Sequence, residues 1–105
     1  MRVLFDQGTP VPLRESLTRH EVSTAYERGS NLTNGELLDT AEQEGFTVFV
    51  TTDLNLKYQQ NLSARRITIV ALTSTSWPRI QGPIGTVVRA IDGASEGSNV
   101  EVEIL

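Results

Sequence analysis

Short apolar runs alternate along the chain with segments whose apolar spacing is typical of helices. Runs rich in β-branched and aromatic residues predict five strands. These strands cover residues 2–5, 21–25, 46–52, 66–72 and 99–104. The segments between them predict helices at 10–19, 34–44, 54–62 and 76–92, with a break at Gly82-Pro83. Alternating strands and helices indicate a single α/β domain over residues 1–105, with helices on both faces of a mainly parallel sheet of four to five strands.

Two helix starts carry local end signals. Thr9 before Pro10 is a typical N-cap pair, because Pro lacks the N–H that a first helical residue leaves unused. Thr33 and Glu36 match a capping box, and Gly45 matches the glycine that follows a helix.

Composition excludes several classes of site. The chain has no Cys and one His, which excludes disulfides and thiolate metal sites and disfavours a Ser-His-Asp triad. The formal net charge of −4 gives no general attraction for nucleic acid, although an acidic cleft that works through a metal remains compatible with it. No apolar run approaches the ~18 residues of a membrane span. With no export signal in the sequence, we expect no membrane association and a cytoplasmic location.

Two carboxylates follow predicted strands at the point where each strand ends. Asp6 follows the first strand and Asp53 follows the third. Ligands of open α/β sheets bind outside the carboxyl ends of the strands, so both acids lie where chemistry is expected. If the two strands are neighbours, these side chains converge on one edge.

Other oxygen donors are predicted near the same edge. Glu36 lies in the first turn of a helix, and Asn34 and Asn55 could supply neutral ligands. Mg²⁺ and Mn²⁺ prefer oxygen ligands, and clustered carboxylates repel one another unless a cation neutralises them. Each acid also has a structural interpretation: Asp6 as a turn residue, Asp53 as the N-cap of the 54–62 helix and Glu36 as part of the capping box.

Candidate substrate contacts are weaker. Lys57 could contact a phosphate, Ser74 and Thr75 follow the fourth strand at the predicted edge, and Arg79 lies near Trp77. A solvated helix face for Lys57, or a helix cap for Ser74 and Thr75, is the competing interpretation.

The ordered motifs of residues 1–92 resemble the small PIN-like domains, a branch of the PIN nuclease superfamily that includes toxins of bacterial toxin–antitoxin pairs. The resemblance rests on four segments that occur in the family's order. They are Leu4-Phe5-Asp6-Gln7-Gly8-Thr9-Pro10, Arg19-His20-Glu21-Val22, Asn34-Gly35-Glu36-Leu37-Leu38 with Ala41 to Gly45, and Val50-Thr51-Thr52-Asp53-Leu54-Asn55-Leu56.

This resemblance implies a metal-dependent ribonuclease with acidic ligands around Mg²⁺ or Mn²⁺. Asp6 and Asp53 carry over directly as metal ligands and catalytic residues. Asn34 and Asn55 stand where the family has Asp, and Gln7-Gly8 replaces Glu-Asn. Amide oxygens coordinate Mg²⁺ more weakly, so Glu36 would have to assist as a third catalytic acid.

Two hypotheses follow. The first is an endoribonuclease that cleaves RNA by metal-activated water and acts as a toxin. The second is a PIN-like module without activity that binds an antitoxin protein or forms a homodimer. For the second, the 99–104 strand is the predicted pairing edge, and Trp77, Ile80 and Ile84 form the predicted contact patch.

Overall fold

The computed structural model describes residues 1–27, 33–56 and 64–105, and its elements follow the predicted alternation. Within these ranges the strands are β1 (Arg2–Phe5), β2 (Glu21–Thr24), β3 (Val48–Thr51), β4 (Thr68–Leu72) and β5 (Asn99–Val102). The helices are a 3-10 helix (Val11–Ser16), α1 (Asn34–Gln43), α2 (Trp77–Gln81) and α3 (Ile84–Asp92). Most of the helix predicted at 54–62 falls on residues 57–63, which lie outside the described residues.

All five described strands are parallel and form one sheet in the order β2-β1-β3-β4-β5. This confirms the predicted α/β class with a parallel central sheet. It also makes β1 and β3 neighbours, with Phe5 opposite Val50. From β1 the chain adds β2 on one side and β3 on the other. The gap between β1 and β3 is therefore a topological switch point, where open α/β sheets bind ligands.

The first face of the sheet is covered by the 3-10 helix and by α2 and α3. Alternate strand residues on this face, such as Phe5 and Val70, are fully buried against the helical residues Leu13, Ile80 and Val87. Trp77 and Ile84 also pack against this core, and Ile80 is 0% exposed. Ile80 therefore cannot belong to the predicted contact patch of Trp77, Ile80 and Ile84, because the sheet buries it fully, whereas Trp77 and Ile84 are only partly buried.

The second face is covered by α1. Leu4, Phe49 and Ile69 project from the sheet to this side, where Leu38 and Ala41 of α1 pack against them. Helices on both faces complete the predicted three-layer arrangement. No helix in the described ranges is long and apolar enough to cross a bilayer.

The ends of α1 confirm the predicted signals. The Thr33 hydroxyl accepts from the Glu36 N–H at 3.3 Å, and the Glu36 carboxylate accepts from the Thr33 N–H at 3.2 Å. Gly45 has a φ of +84°, a conformation that glycine adopts without the penalty that a Cβ imposes.

The first helical segment differs from the prediction. Instead of an α-helix over 10–19 capped by Thr9, the chain forms a six-residue 3-10 helix whose N-cap is Pro10. Thr9 is only 3% exposed, and its hydroxyl lies 2.9 Å from both the Asp6 carboxylate and the Val50 carbonyl oxygen. The single hydroxyl proton is shared between these two acceptors. Thr9 therefore binds the turn after β1 to β3 and does not cap the helix.

The packing of α1 gives a stability prediction. Leu38 is fully buried, so Leu38→Ala should lower the free energy of unfolding by about 2–5 kcal/mol through lost burial and a residual cavity. Urea denaturation measures this change. Gln43→Ala, on an exposed position of the same helix, should change it by less than about 0.5 kcal/mol. Equal effects of both substitutions would contradict the packing of α1 on the second face.

Candidate functional site

Asp6 and Asp53 lie at the switch point of the sheet. Asp6 directly follows β1, and its N–H donates to the Val50 carbonyl oxygen of β3 at 3.0 Å. Asp53 comes two residues after the end of β3. Both are partly buried. The adjacency of their strands therefore brings the two acids to the same carboxyl edge.

The side chain of Thr51 joins the two acidic segments. Its hydroxyl donates to Asp6 Oδ2 and accepts from the Asp53 N–H, with a distance of 3.0 Å to that nitrogen. Thr51 is 0% exposed, so this hydroxyl has no competing water. A buried group that is satisfied by both acidic segments fixes their relative position, because breaking either bond would leave a polar atom unpaired.

The turn after β1 orients the Asp6 carboxylate. Asp6 Oδ1 accepts from the Gly8 N–H at 3.1 Å and from the Thr9 hydroxyl at 2.9 Å. Gly8 allows a close approach to β3, since a Cβ there would lie 2.6 Å from the Thr52 hydroxyl oxygen and would force that side chain to shift. The turn therefore packs directly against the end of β3.

Asp53 is held by two amide donors. Its Oδ1 accepts from the backbone N–H of Asn55 at 2.9 Å, and its Oδ2 accepts from the side-chain Nδ2 of Asn34 at 3.4 Å. Asn34 is the first residue of α1, so the start of this helix reaches the site. The Asn55 contact uses the backbone, and its side chain is exposed.

Neutral donors surround both acids. In the described part of the chain, no ion pair involves Asp6 or Asp53, and the arginines there that form ion pairs do so with other carboxylates. Two like charges at one edge favour a cation between them. The same ranges contain no group of three or more His, Cys, Asp or Glu side chains placed to hold a metal ion. Any cation there would use two carboxylates and neutral oxygen donors.

Glu36 is engaged elsewhere. Its carboxylate accepts from the Thr33 hydroxyl at 2.8 Å as well as from the Thr33 N–H. These bonds, the hydroxyl first, lower the pKa of Glu36. The charged form therefore contributes stability above the unfolded-state pKa, and this contribution is lost as the pH falls. The contacts of Glu36 place it in the capping box and do not connect it to Asp6 or Asp53.

Three of the predicted substrate contacts, Ser74, Thr75 and Arg79, come after β4 in the chain. Ser74 Oγ accepts from the Ser76 N–H at 3.0 Å, so it stabilises the turn before α2. Thr75 and Arg79 are exposed. Lys57 lies outside the described residues.

Three residues near the acids are not predicted from the sequence as parts of the site. Thr9 and Thr51 look like ordinary cap and strand residues, and only strand register shows that their hydroxyls meet Asp6. Glu101 lines a pocket of about 80 Å³ with Asp53 and Asn99. The alternation of the 99–104 strand did place Glu101 on a polar face, but not beside Asp53.

A larger cavity lies away from the acids. It has a volume of about 420 Å³ and opens at the amino ends of β3 and β4, where Phe46 and Ile67 line it. None of the lining residues is a predicted site residue. Because the acids are at the opposite edge, this cavity does not extend their site.

Comparison with known proteins returns no matching family model, no matching curated protein and no matching solved structure.

The close approach of Gly8 to β3 can be tested with a double-mutant cycle. Gly8→Ala should lower the free energy of unfolding by about 1–3 kcal/mol, because the new Cβ overlaps the Thr52 hydroxyl. In a Thr52→Ala background the same change should cost less than about 0.5 kcal/mol. Chemical denaturation of the four proteins gives both values.

Gly82→Ala is the matched control. A Cβ at Gly82 would lie at an ordinary 3.7 Å from the Arg79 carbonyl oxygen, so this substitution should be neutral or stabilise by up to about 1 kcal/mol. If Gly8→Ala costs the same with and without the Thr52 hydroxyl, the described turn is incorrect.

Proposed function

We propose that this protein is an endoribonuclease that depends on Mg²⁺ or Mn²⁺, with Asp6 and Asp53 as its metal-binding catalytic residues. The observation that carries the proposal is the link between the two acids through Thr51 at the switch point of the sheet. The resemblance to PIN-like nucleases supplies the reaction, and the absence of an ion-pair partner for either acid among the described residues supports it.

The donor set fits a hard divalent cation. Carboxylate oxygens of Asp6 and Asp53 and the side-chain oxygen of Asn34 have the chemistry that Mg²⁺ and Mn²⁺ prefer. Bound there, the cation would activate a water molecule and stabilise charge at the phosphoryl group.

The protein's own residues orient and hold this donor set. Thr51, together with the Gly8 N–H and the Thr9 hydroxyl, directs the Asp6 carboxylate. The Asn55 N–H directs Asp53. A side chain that is already oriented loses less freedom on binding, which favours the loaded state.

Polar residues that the sequence predicts as substrate contacts complete the proposal. Ser74, Thr75, Arg79 and Lys57 are the proposed contacts to RNA phosphates. Toxin activity, control by an antitoxin protein and a cytoplasmic location follow from the PIN-like resemblance and belong to this proposal as its biological setting.

Metal binding and cleavage test the two acids directly. Wild-type protein should bind Mn²⁺ in calorimetry, show a raised melting temperature in Mn²⁺ and cleave unstructured RNA. Asp6→Asn and Asp53→Asn should each weaken Mn²⁺ binding at least tenfold and abolish cleavage, because each removes a charged ligand. Chelation with EDTA should stop cleavage by the wild type.

Glu96→Gln, which removes an exposed carboxylate beside the cavity at the amino ends of the strands, is the control and should behave as wild type. If metal-loaded wild-type protein cuts no RNA, the ribonuclease proposal is wrong. If all four proteins bind Mn²⁺ equally, the metal lies elsewhere.

A second candidate function is a PIN-like module without activity that works through a protein partner. The Asn34 amide favours it, because this group donates a hydrogen bond to Asp53 where a third carboxylate would strengthen a metal site. β5 at the edge of the sheet offers unpaired backbone groups for a second copy or another protein.

Asn34→Asp separates the two candidates. The added carboxylate faces Asp53, so we expect lower stability without metal and Mn²⁺ binding at least tenfold tighter than in the wild type. Thermal melts with and without Mn²⁺ measure both effects. Loss of stability with no Mn²⁺ response in either protein favours the partner-binding module, and light scattering then tests for a dimer.

A further inference from the structure

A highly exposed aromatic residue stands at the same edge as the acids. Tyr26 is 82% exposed. It follows β2, the strand beside β1, and the neighbouring Ala25 N–H donates to the Phe5 carbonyl oxygen at 2.8 Å. Tyr26 and Asp6 therefore leave adjacent strands, which lie about 4.8 Å apart, at the same end of the sheet.

The turn that carries Tyr26 is fixed on both sides. The Thr24 hydroxyl is buried, accepts from the Glu27 N–H at 3.1 Å and lies 3.1 Å from Glu27 Oε1. Arg14 of the 3-10 helix donates to the same carboxylate and lowers the pKa of Glu27. Tyr26 is thus placed in solvent between two anchored residues, and its backbone position is set before any ligand binds.

An exposed ring on a fixed turn is suited to stacking. Every nucleobase has a π-face, so an aromatic side chain binds single strands with little regard to sequence. Bases inside a duplex already stack on both sides and offer no free face, which favours an unpaired strand. A net charge of −4 also makes stacking more useful here, since general attraction to phosphates is weak.

We infer that Tyr26 stacks on an unpaired base of the RNA substrate next to the phosphodiester held at Asp6 and Asp53. This inference rests on the proposed ribonuclease function and adds a residue that binds its substrate. Tyr26 is a substrate-binding residue in this scheme, and the acids perform the chemistry.

Cleavage kinetics of two substrates in Mn²⁺ test the inference. The first is an unstructured RNA oligonucleotide, and the second is the same sequence annealed to its complement. Tyr26→Ala should reduce kcat/KM on the single strand by about 5- to 100-fold, mostly through KM, because stacking contributes to binding. Tyr26→Phe keeps the ring and should rescue the loss. Gln43→Ala, which removes an exposed side chain at the end of α1 that precedes β3, is the control.

Each outcome decides a separate point. Equal kcat/KM for wild type and Tyr26→Ala on the single strand overturns the stacking role and leaves the ribonuclease proposal standing. An equal loss on the annealed substrate overturns stacking on an unpaired base, since paired bases offer no free face. No cleavage by the wild type overturns the ribonuclease proposal and the inference with it. Dissociation of a wild-type dimer by Tyr26→Ala, without any RNA effect, would assign the ring to a protein contact instead.

Discussion

One buried hydroxyl determines the geometry of the candidate site. Thr51 binds the Asp6 carboxylate and the Asp53 N–H at once, and it has no access to water. Its position depends on the pairing of β1 with β3, because that register puts Asp6 level with Thr51. The sheet topology, the turn after β1 and the segment after β3 therefore meet at a single side chain.

The electrostatics of this arrangement explain why a cation is expected there. Asp6 and Asp53 bring two carboxyl groups to one edge, and like charges at one site favour a bound cation. The Gly8 N–H and the Asn34 amide donate hydrogen bonds to these groups without adding positive charge. A divalent cation would neutralise both acids. In a module without activity, the same hydrogen-bond donors would instead be the lasting partners of the two carboxylates.

The sequence predicted the parts of the molecule that depend on local pattern. Apolar runs identified the strands, and the placement of Asp6 and Asp53 after two of them predicted that both acids lie at the carboxyl edge. The capping box of Thr33 and Glu36 was also visible, since its residues are three apart. Thr9 was misassigned as a cap because its true partners, Asp6 and Val50, belong to a turn and a distant strand that only the folded register brings together.

The hydrophobic pattern alone also could not predict which side chains of the short helices are buried. Trp77, Ile80 and Ile84 have apolar side chains on a segment broken by Gly82-Pro83, which suits either a core or a contact surface. Their place over the first face of the sheet depends on the position of α2 and α3 after the crossover from β4. The contribution of Thr51 likewise follows from tertiary register, since nothing in its neighbouring residues specifies which carboxylate it meets.

A crystal structure of the protein soaked with Mn²⁺ would test the shared-cation site most directly. Anomalous scattering should locate one ion bound directly by carboxylate oxygens of both Asp6 and Asp53, at a separation near the ~2.1 Å typical of Mg²⁺. An ion bound by one acid alone, or an unoccupied edge with the Thr51 bonds unchanged at saturating Mn²⁺, would contradict the proposal that the two acids share a cation.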